Sequence, residues 1–474
     1  MNRMNLMSRE EAVDAARQYF DRGGFEATLA QRVAYATVSQ EPDPSETLKA
    51  YLQREIEPTL TRMGFECRIV PNPIEGKGPF LLASRAESGA AFTLLSYGHG
   101  DVVRGYEAQW KEGLNPWRME IRGDQWFGRG TADNKGQHTI NLTALEHALK
   151  ARDGKLGYGV KFIFEMGEET GSPGLREVCA EHREFLAADV FLASDGPRVS
   201  AQKPTLFLGS RGNFNFTLEV KAREGSHHSG NWGGLLSNPG IRLANAIATL
   251  VTPQGQIKVK GLLPSQLPEN VRRALAKIEL GTNPGDPVID PNWGEPGLTP
   301  AERVIAWNSF EVLAFKTGNP DAPVNAIPGY AVAHCQLRYV VHSDYQNFIE
   351  HMRAHLDANG FEDVQITPTR DRAPATRLDP DNPWVHRVLQ SIAKTTGKDV
   401  DLLPNLGGSL PNDAFSEILG LPTIWVPHSY AGCAQHAPGE HLLGSVAREG
   451  LALMTGVFWD LGEKELDCPA ESKN

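Results

Sequence analysis

Short apolar runs that lead into polar segments constrain this chain most. They are Phe92–Leu95, Val160–Phe164, Val190–Ala193 and, far downstream, Thr423–Val426. Runs of this length suit strands buried on both faces. Helical patterns fall between them; Leu142, Leu145 and Leu149 recur on one face. Strands alternating with helices predict an α/β domain, a mainly parallel twisted sheet flanked by helices. Ser8 and Glu11 form a capping box that opens a helix ahead of the first strand.

The middle of the chain has another period. Phe214, Phe216, Leu218 and Val220 alternate with Asn215, Thr217, Glu219 and Lys221, the pattern of a strand with one wet face. Ala331, Ala333, Cys335, Leu337 and Tyr339 form a second such face. A helix follows from Ser343, with Phe348, Ile349, Met352 and Leu356 on one side and Gly360 closing it. This predicts a smaller α+β domain, residues 211–375, inserted into a larger one made of 1–210 and 376–474. The Gly/Pro/Asn/Asp-rich stretch Gly281–Pro300 reads as a loop.

Charge removes several classes of function. The net charge is -11 over 474 residues. Nucleic-acid binding needs a basic footprint, as does docking on anionic lipid. No window approaches the roughly 18 apolar residues of a membrane span. Cys67, Cys179, Cys335, Cys433 and Cys468 are odd in number and widely spaced, with no Cys-x-x-Cys. That fits reduced thiols in a cytoplasmic protein. Met1–Phe20 is broken by Arg3, Arg9, Glu10 and Glu11 and has no signal-peptide core.

Five segments carry the chemistry. Tyr97–Asp101 holds His99 and Asp101 just after a strand; imidazole plus orienting carboxylate suits a metal, and a solvated turn is the alternative. Gly128–Gly136 is a glycine-rich turn presenting Asp133, either a cation cradle or a surface loop. It is no P-loop, because Gly follows Lys135. Glu168 and Glu169 stand adjacent at a strand exit, where extended geometry would point one at a metal and the other at substrate. Asp195 follows another strand, and His436 and His441 follow the last. Alone, each fits an ordinary polar loop. Together they place nitrogen and oxygen donors at strand ends, where open α/β sheets gather ligands. Two imidazoles and several carboxylates suit zinc, manganese or cobalt, and a shared carboxylate suits a two-metal hydrolytic site.

Order and motifs over nearly the whole chain resemble the M20 family of metallopeptidases, which includes dipeptidases, aminoacylases and deacylases. The resemblance implies that His99 and Asp195 hold one metal, Glu169 and His436 the other, and that Asp133 bridges them. Glu168 would be the general base and Asp101 the support of His99. His436-Ala-Pro-Gly-Glu440 matches the family's His-Ser-Pro-Asn-Glu in register, so His436 is preferred over His441. Asn134 stands where many members carry Asp, and Ala437 and Gly439 replace the usual Ser and Asn.

In the insert, Ser226–Gly234 resembles the family's His-Ser-Gly motif. His228 is then the residue that reaches a partner's site across a homodimer and stabilises the oxyanion. Asn325, Arg338, Gly408 and Ser409 would bind substrate, with the Arg338 guanidinium on its free carboxylate. The implied cofactors are two divalent cations, zinc first. The implied substrate is a dipeptide or related aminoacyl amide. N-acyl amino-acid deacylation is the alternative, and a non-catalytic metal-binding protein is the alternative of another class. No Gly-x-Ser-x-Gly occurs, which argues against a serine hydrolase.

Overall fold

The computed structural model describes residues 7–42, 45–282 and 286–463. Twelve strands set the frame: β1 Glu66–Val70, β2 Phe80–Arg85, β3 Thr93–His99, β4 Gly159–Glu165, β5 Val190–Ala193, β6 Thr205–Phe207, β7 Gly212–Lys221, β8 Ser309–Thr317, β9 Tyr330–Tyr339, β10 Gln365–Ala373, β11 Asp401–Leu403 and β12 Thr423–Trp425. Eight form one sheet in the order β1-β2-β4-β3-β5-β12-β6-β11. Its middle is parallel: β4, β3, β5 and β12 run the same way. Antiparallel joins lie at β1/β2, β2/β4 and β12/β6.

Helices cover both faces of this sheet. The principal helices of the chain are α1 Arg9–Asp21, α2 Lys135–Ala151, α3 Pro239–Leu250, α4 Phe348–Ala358, α5 Pro383–Thr396 and α6 Gly444–Leu461, of which α3 and α4 pack instead on the smaller sheet described below. The expected capping box starts α1, with Ser8 Oγ accepting from the Glu11 amide and Glu11 reaching back to the Ser8 amide. Leu142, Leu145 and Leu149 of α2 pack with Leu451, Met454 and Val457 of α6 in one core. Burying each such side chain contributes roughly 1.5–3 kcal/mol. The opposite core centres on Tyr97, Phe191, Phe415 and Trp425.

The insert's sheet is antiparallel, ordered β8-β9-β7-β10. Alternation sends Phe214, Phe216, Leu218, Ala333, Cys335 and Leu337 inward against α3 and α4. The chain crosses into and out of the insert side by side, Gly209–Ser210 pairing with Thr376–Arg377. The insert is not one packing unit. The short helices Glu269–Leu275 and Pro300–Ile305 bury Val271, Leu275, Ala301 and Ile305 in the large sheet's second core.

Cys67, Cys179, Cys335 and Cys433 are free thiols, while Cys468 lies outside the described residues. Among the described residues, no helix is long and apolar enough to cross a membrane.

Candidate metal centre

Because β4, β3 and β5 are parallel neighbours, their carboxyl ends open on one edge. His99 is the last residue of β3. Glu168 and Glu169 follow β4, and Asp195 follows β5. Asp133 precedes α2, on a loop whose tightness requires glycine: a Cβ at Gly136 would lie 1.9 Å from the Thr131 carbonyl oxygen. His436 arrives from a separate loop, where Ala434 and His436 have φ of 55° and 61°.

These residues converge on Asp133. Its Oδ1 lies 3.1 Å from His99 Nε2, and its Oδ2 lies 3.1 Å from His436 Nε2. Asp195 Oδ2 stands 3.6 Å from His99 Nε2, and Glu169 Oε2 stands 3.0 Å from His436 Nε2. His99, Asp133 and Asp195 thus bring donor atoms within 4.8 Å of one another, as do Asp133, Glu169 and His436. Asp195 Oδ2 is buried without a hydrogen-bond partner. A buried carboxylate oxygen left so is costly unless a cation meets it. The donor set and this orphaned oxygen fit two borderline divalent cations sharing Asp133.

The electrostatics point the same way. Burial, then the Asp133 charge, pushes Asp195 up to about 6 and Glu169 up to about 7. Burial also holds Glu168 well above its ordinary value, and the charges of Asp195, Glu169 and Asp133 add to it. Hydrogen bonds to Asp133 and Glu169 raise His436 to about 11. At Asp133 burial is the largest influence, but the two imidazoles outweigh it together and hold the carboxyl below its usual range. Negative charge is crowded here to the point of favouring protons, the environment that a bound cation relieves.

Asp101 does more than orient His99. His99 Nδ1 lies 3.1 Å from the Asp101 carbonyl and 3.4 Å from its Oδ1. The Asp101 carboxylate accepts from the backbone amides of Glu168 and Glu169, at 3.2 and 3.1 Å. The glutamates therefore sit on a 3₁₀ turn, Glu168–Thr170, and not on the extended segment that strand alternation predicts. The turn, fixed by Asp101, keeps both carboxylates at the site, each with an oxygen within 4.8 Å of the other and of a His99 ring nitrogen.

Glu440 has no assigned role in the sequence reading, yet it builds the Asp133 loop. Its Oε1 accepts from the amides of Gly130, Ala132 and Asp133 at 3.0–3.1 Å. Its Oε2 pairs with buried Arg129 at 2.6 Å. The signal was the position of Glu440 in the His436 segment. Asn134 Nδ2 donates to the Ser194 carbonyl, tying the Asp133 and Asp195 loops together. His441 points elsewhere, between Gln125 and Tyr430 at 2.9 and 2.8 Å.

The other expected site residues form two separate groups. Arg338 Nη1 donates to Ser409 Oγ at 2.8 Å, and Ser409 donates to the Arg211 carbonyl. The Gly408 carbonyl accepts from the Arg211 amide. His228 and Asn325 lie together near the far end of the insert: His228 pairs in register with Ala326, and Ser229 bonds the Asn325 carbonyl. His228 is exposed, its Nδ1 accepting from the Gly230 amide. The structure thus joins the seven residues of the metal cluster and joins Arg338 to the Gly408–Ser409 loop. It leaves His228 facing solvent.

Comparison with known proteins agrees with this geometry. The chain is 24% identical over 479 residues to human Beta-Ala-His dipeptidase, covering 94% of this chain and 92% of that one. It is 26% identical over 368 residues to the cysteinylglycine-S-conjugate dipeptidase of Corynebacterium striatum, covering 74% and 76%. Its fold matches the crystal structure of an M20 family metallo-carboxypeptidase from Sulfolobus solfataricus with a TM-score of 0.74 at 24% identity, over 92% of this chain and 99% of that one. The model of peptidase family M20/M25/M40 matches residues 95–459, from the strand carrying His99 to the last helix, and the chain belongs to that family.

Proposed function

We propose that this protein is a two-metal dipeptidase. The observation that carries the reading is the position of Asp133, with one carboxylate oxygen toward His99 and the other toward His436. His99 and Asp195 hold one cation, and Glu169 and His436 hold the other. Zinc is the expected metal, with manganese or cobalt able to use the same donors. Such cations polarise the scissile carbonyl and make a water acidic enough to attack at neutral pH.

The chain's own residues do the rest. Glu168, beside Glu169 on the same 3₁₀ turn, takes the proton of the attacking water and delivers it to the leaving nitrogen. Asp101 fixes His99 and the Glu168 turn at once. Arg338, held by Ser409, grips the substrate's free carboxylate with its remaining Nη group. The names of the human and Corynebacterium relatives support a dipeptide over an N-acyl amino acid.

His228 completes the site of a second copy in a homodimer formed through the small sheet. The exposed edge supports this: Val312, Leu313 and Phe315 of β8 are 41%, 61% and 43% exposed, and Ile241 of α3 is 64% exposed. The four free thiols support a cytoplasmic location.

Metal-loaded protein should cleave dipeptides and lose that activity on chelation. Cleavage of N-acyl amino acids alone would move the assignment to deacylation. Two bound metals without hydrolysis of either class would make it a non-catalytic metal protein.

A further inference from the structure

A cavity of about 610 Å³ is lined by none of the residues that converge on Asp133. It lies where the two sheets face each other. Pro197 borders it two residues after Asp195, Ala431 five residues before His436, and Gly407 beside the Gly408–Ser409 loop. Arg338 and Ser409 do not line the cavity; it reaches them through Arg211, which lines it and whose carbonyl accepts from the Ser409 hydroxyl that Arg338 holds. Its volume falls within the roughly 300–1,000 Å³ of small-molecule sites.

Its walls are mostly apolar: Ile257, Trp293, Val304, Trp307, Leu403 and Leu406. Trp293 and Val304 are 48% and 43% exposed, although both sit inside a cleft. Charged groups line it in two places, Asp286, Asp290, Glu295 and Arg303 on one stretch of chain and Arg211 with Glu311 beside Gly407. Arg211 donates its Nε to the Gly407 carbonyl, and neither of its Nη groups has a hydrogen bond among the described residues. Glu311 stands nearby, its carboxyl raised by burial and then lowered by the Arg211 charge. Arg338 lies close enough to depress Arg211, whose pKa burial has already lowered to about 10.

We propose that this cavity is the pocket for the side chain of the substrate residue that carries the free carboxylate, and that it selects large aromatic side chains. This rests on the dipeptidase reading and on Arg338 as the carboxylate grip. With the carboxylate at Arg338 and the scissile bond at the metals, the α-carbon of that residue lies between them. Its side chain then has the cavity as its apolar space. Glycine or alanine there would leave the exposed indole and valine surfaces wet; an aromatic ring covers them. Arg211 and Glu311 at the entrance accept a polar edge, such as an indole N–H or a phenol.

The test is a series of dipeptides, Ala-Gly, Ala-Leu, Ala-Phe and Ala-Trp, with the metal-loaded protein. The expected rise in kcat/KM from Ala-Gly to Ala-Trp is roughly tenfold to a hundredfold, the range for burying such a side chain. Val304→Trp fills the cavity beside Gly407, so the ratio of Ala-Trp to Ala-Gly should fall towards one. A flat series overturns the pocket, and so does a Val304→Trp variant that keeps the ratio. Calorimetric titration with free tryptophan and free glycine reads the pocket without turnover, and equal affinities overturn it. Failure to cleave any dipeptide while tryptophan still binds over glycine would sink the dipeptidase reading and leave the pocket standing.

Discussion

The metal cluster and the polar face of the small sheet are built on opposite plans. The cluster is assembled from the ends of parallel neighbours, so chain direction alone delivers His99, Glu168, Glu169 and Asp195 to one edge. Its floor is buried, with His99 and Asp101 0% exposed and Asp195 3% exposed, while His436 closes it from the exposed side. The small sheet puts Arg338, Gln336, Asn215 and Glu311 on one face by alternation, and that face stays open to the cleft. His228 at its far end touches solvent. A parallel sheet can finish a site within one chain. An antiparallel face finishes one only when something is laid against it, whether a catalytic domain, a substrate or a second copy.

The largest effects should come from the buried side. Glu168→Gln keeps shape and hydrogen bonding but cannot accept the proton, so kcat should fall by roughly 10²–10⁴-fold with both metals retained. Metal analysis beside the rate measurement separates this from lost binding. Near-normal turnover would remove Glu168 as the base. His436→Ala should lower metal stoichiometry, whereas His441→Ala should spare it because Gln125 and Tyr430 occupy that ring. The reverse pattern would move the ligand.

The open face predicts complementation. Inactive His228→Ala mixed with inactive Glu168→Gln should regain part of the activity, because one site of a mixed dimer has an intact base and a partner's intact His228. No recovery despite demonstrated subunit exchange would confine His228 to its own chain and erase the contrast between the two regions. Arg338→Ala should lower kcat/KM for free-carboxylate substrates by roughly 10- to 100-fold, the worth of a charge-assisted hydrogen bond. Amidating the substrate's C-terminus should cost little more in that variant. If the two losses add, Arg338 does not hold the carboxylate.

The same contrast explains what the sequence made legible. Strand runs and the carboxylates after them are local signals, so the α/β sheet and donors at its strand ends are legible in the sequence, whereas the roles of Asp133 and of His436 over His441 come from the family resemblance. Strand alternation predicts Glu168 and Glu169 on opposite sides of an extended segment, but they sit on a 3₁₀ turn because Asp101, far away in sequence, captures both amides. Glu440 is marked in the sequence only by its place in the His436 motif; its role is not legible there, because three of its contacts are backbone amides some 310 residues away and amides carry no residue identity. Packing of the two short insert helices on the large sheet, like the cavity that the Pro300–Ile305 helix helps wall, is tertiary and leaves no periodic trace.

The smallest expected effect tests the burial side of the comparison. Glu165 ends β4 beneath the cluster, and its Oε1 accepts from Tyr97 Oη at 2.7 Å and Ser172 Oγ at 2.9 Å. Its Oε2 is buried without a partner. Burial, then the Asp101 charge, pushes its carboxyl from 4.5 to about 7. A carboxyl raised in the fold binds its proton more tightly there than in the unfolded chain. Its contribution to stability is therefore full below about pH 4.5 and is lost as pH rises through about 7. Glu165→Gln mimics the neutral form and keeps an oxygen for Tyr97 and Ser172. Urea unfolding of chelated protein at pH 5 and pH 8 should give wild type a drop in stability that the variant lacks, on the order of 1–3 kcal/mol. Equal drops in the two proteins would mean that Glu165 is already charged in the fold at pH 5. The strand-end edge would then tolerate negative charge without a cation, and burial would no longer distinguish it from the open face.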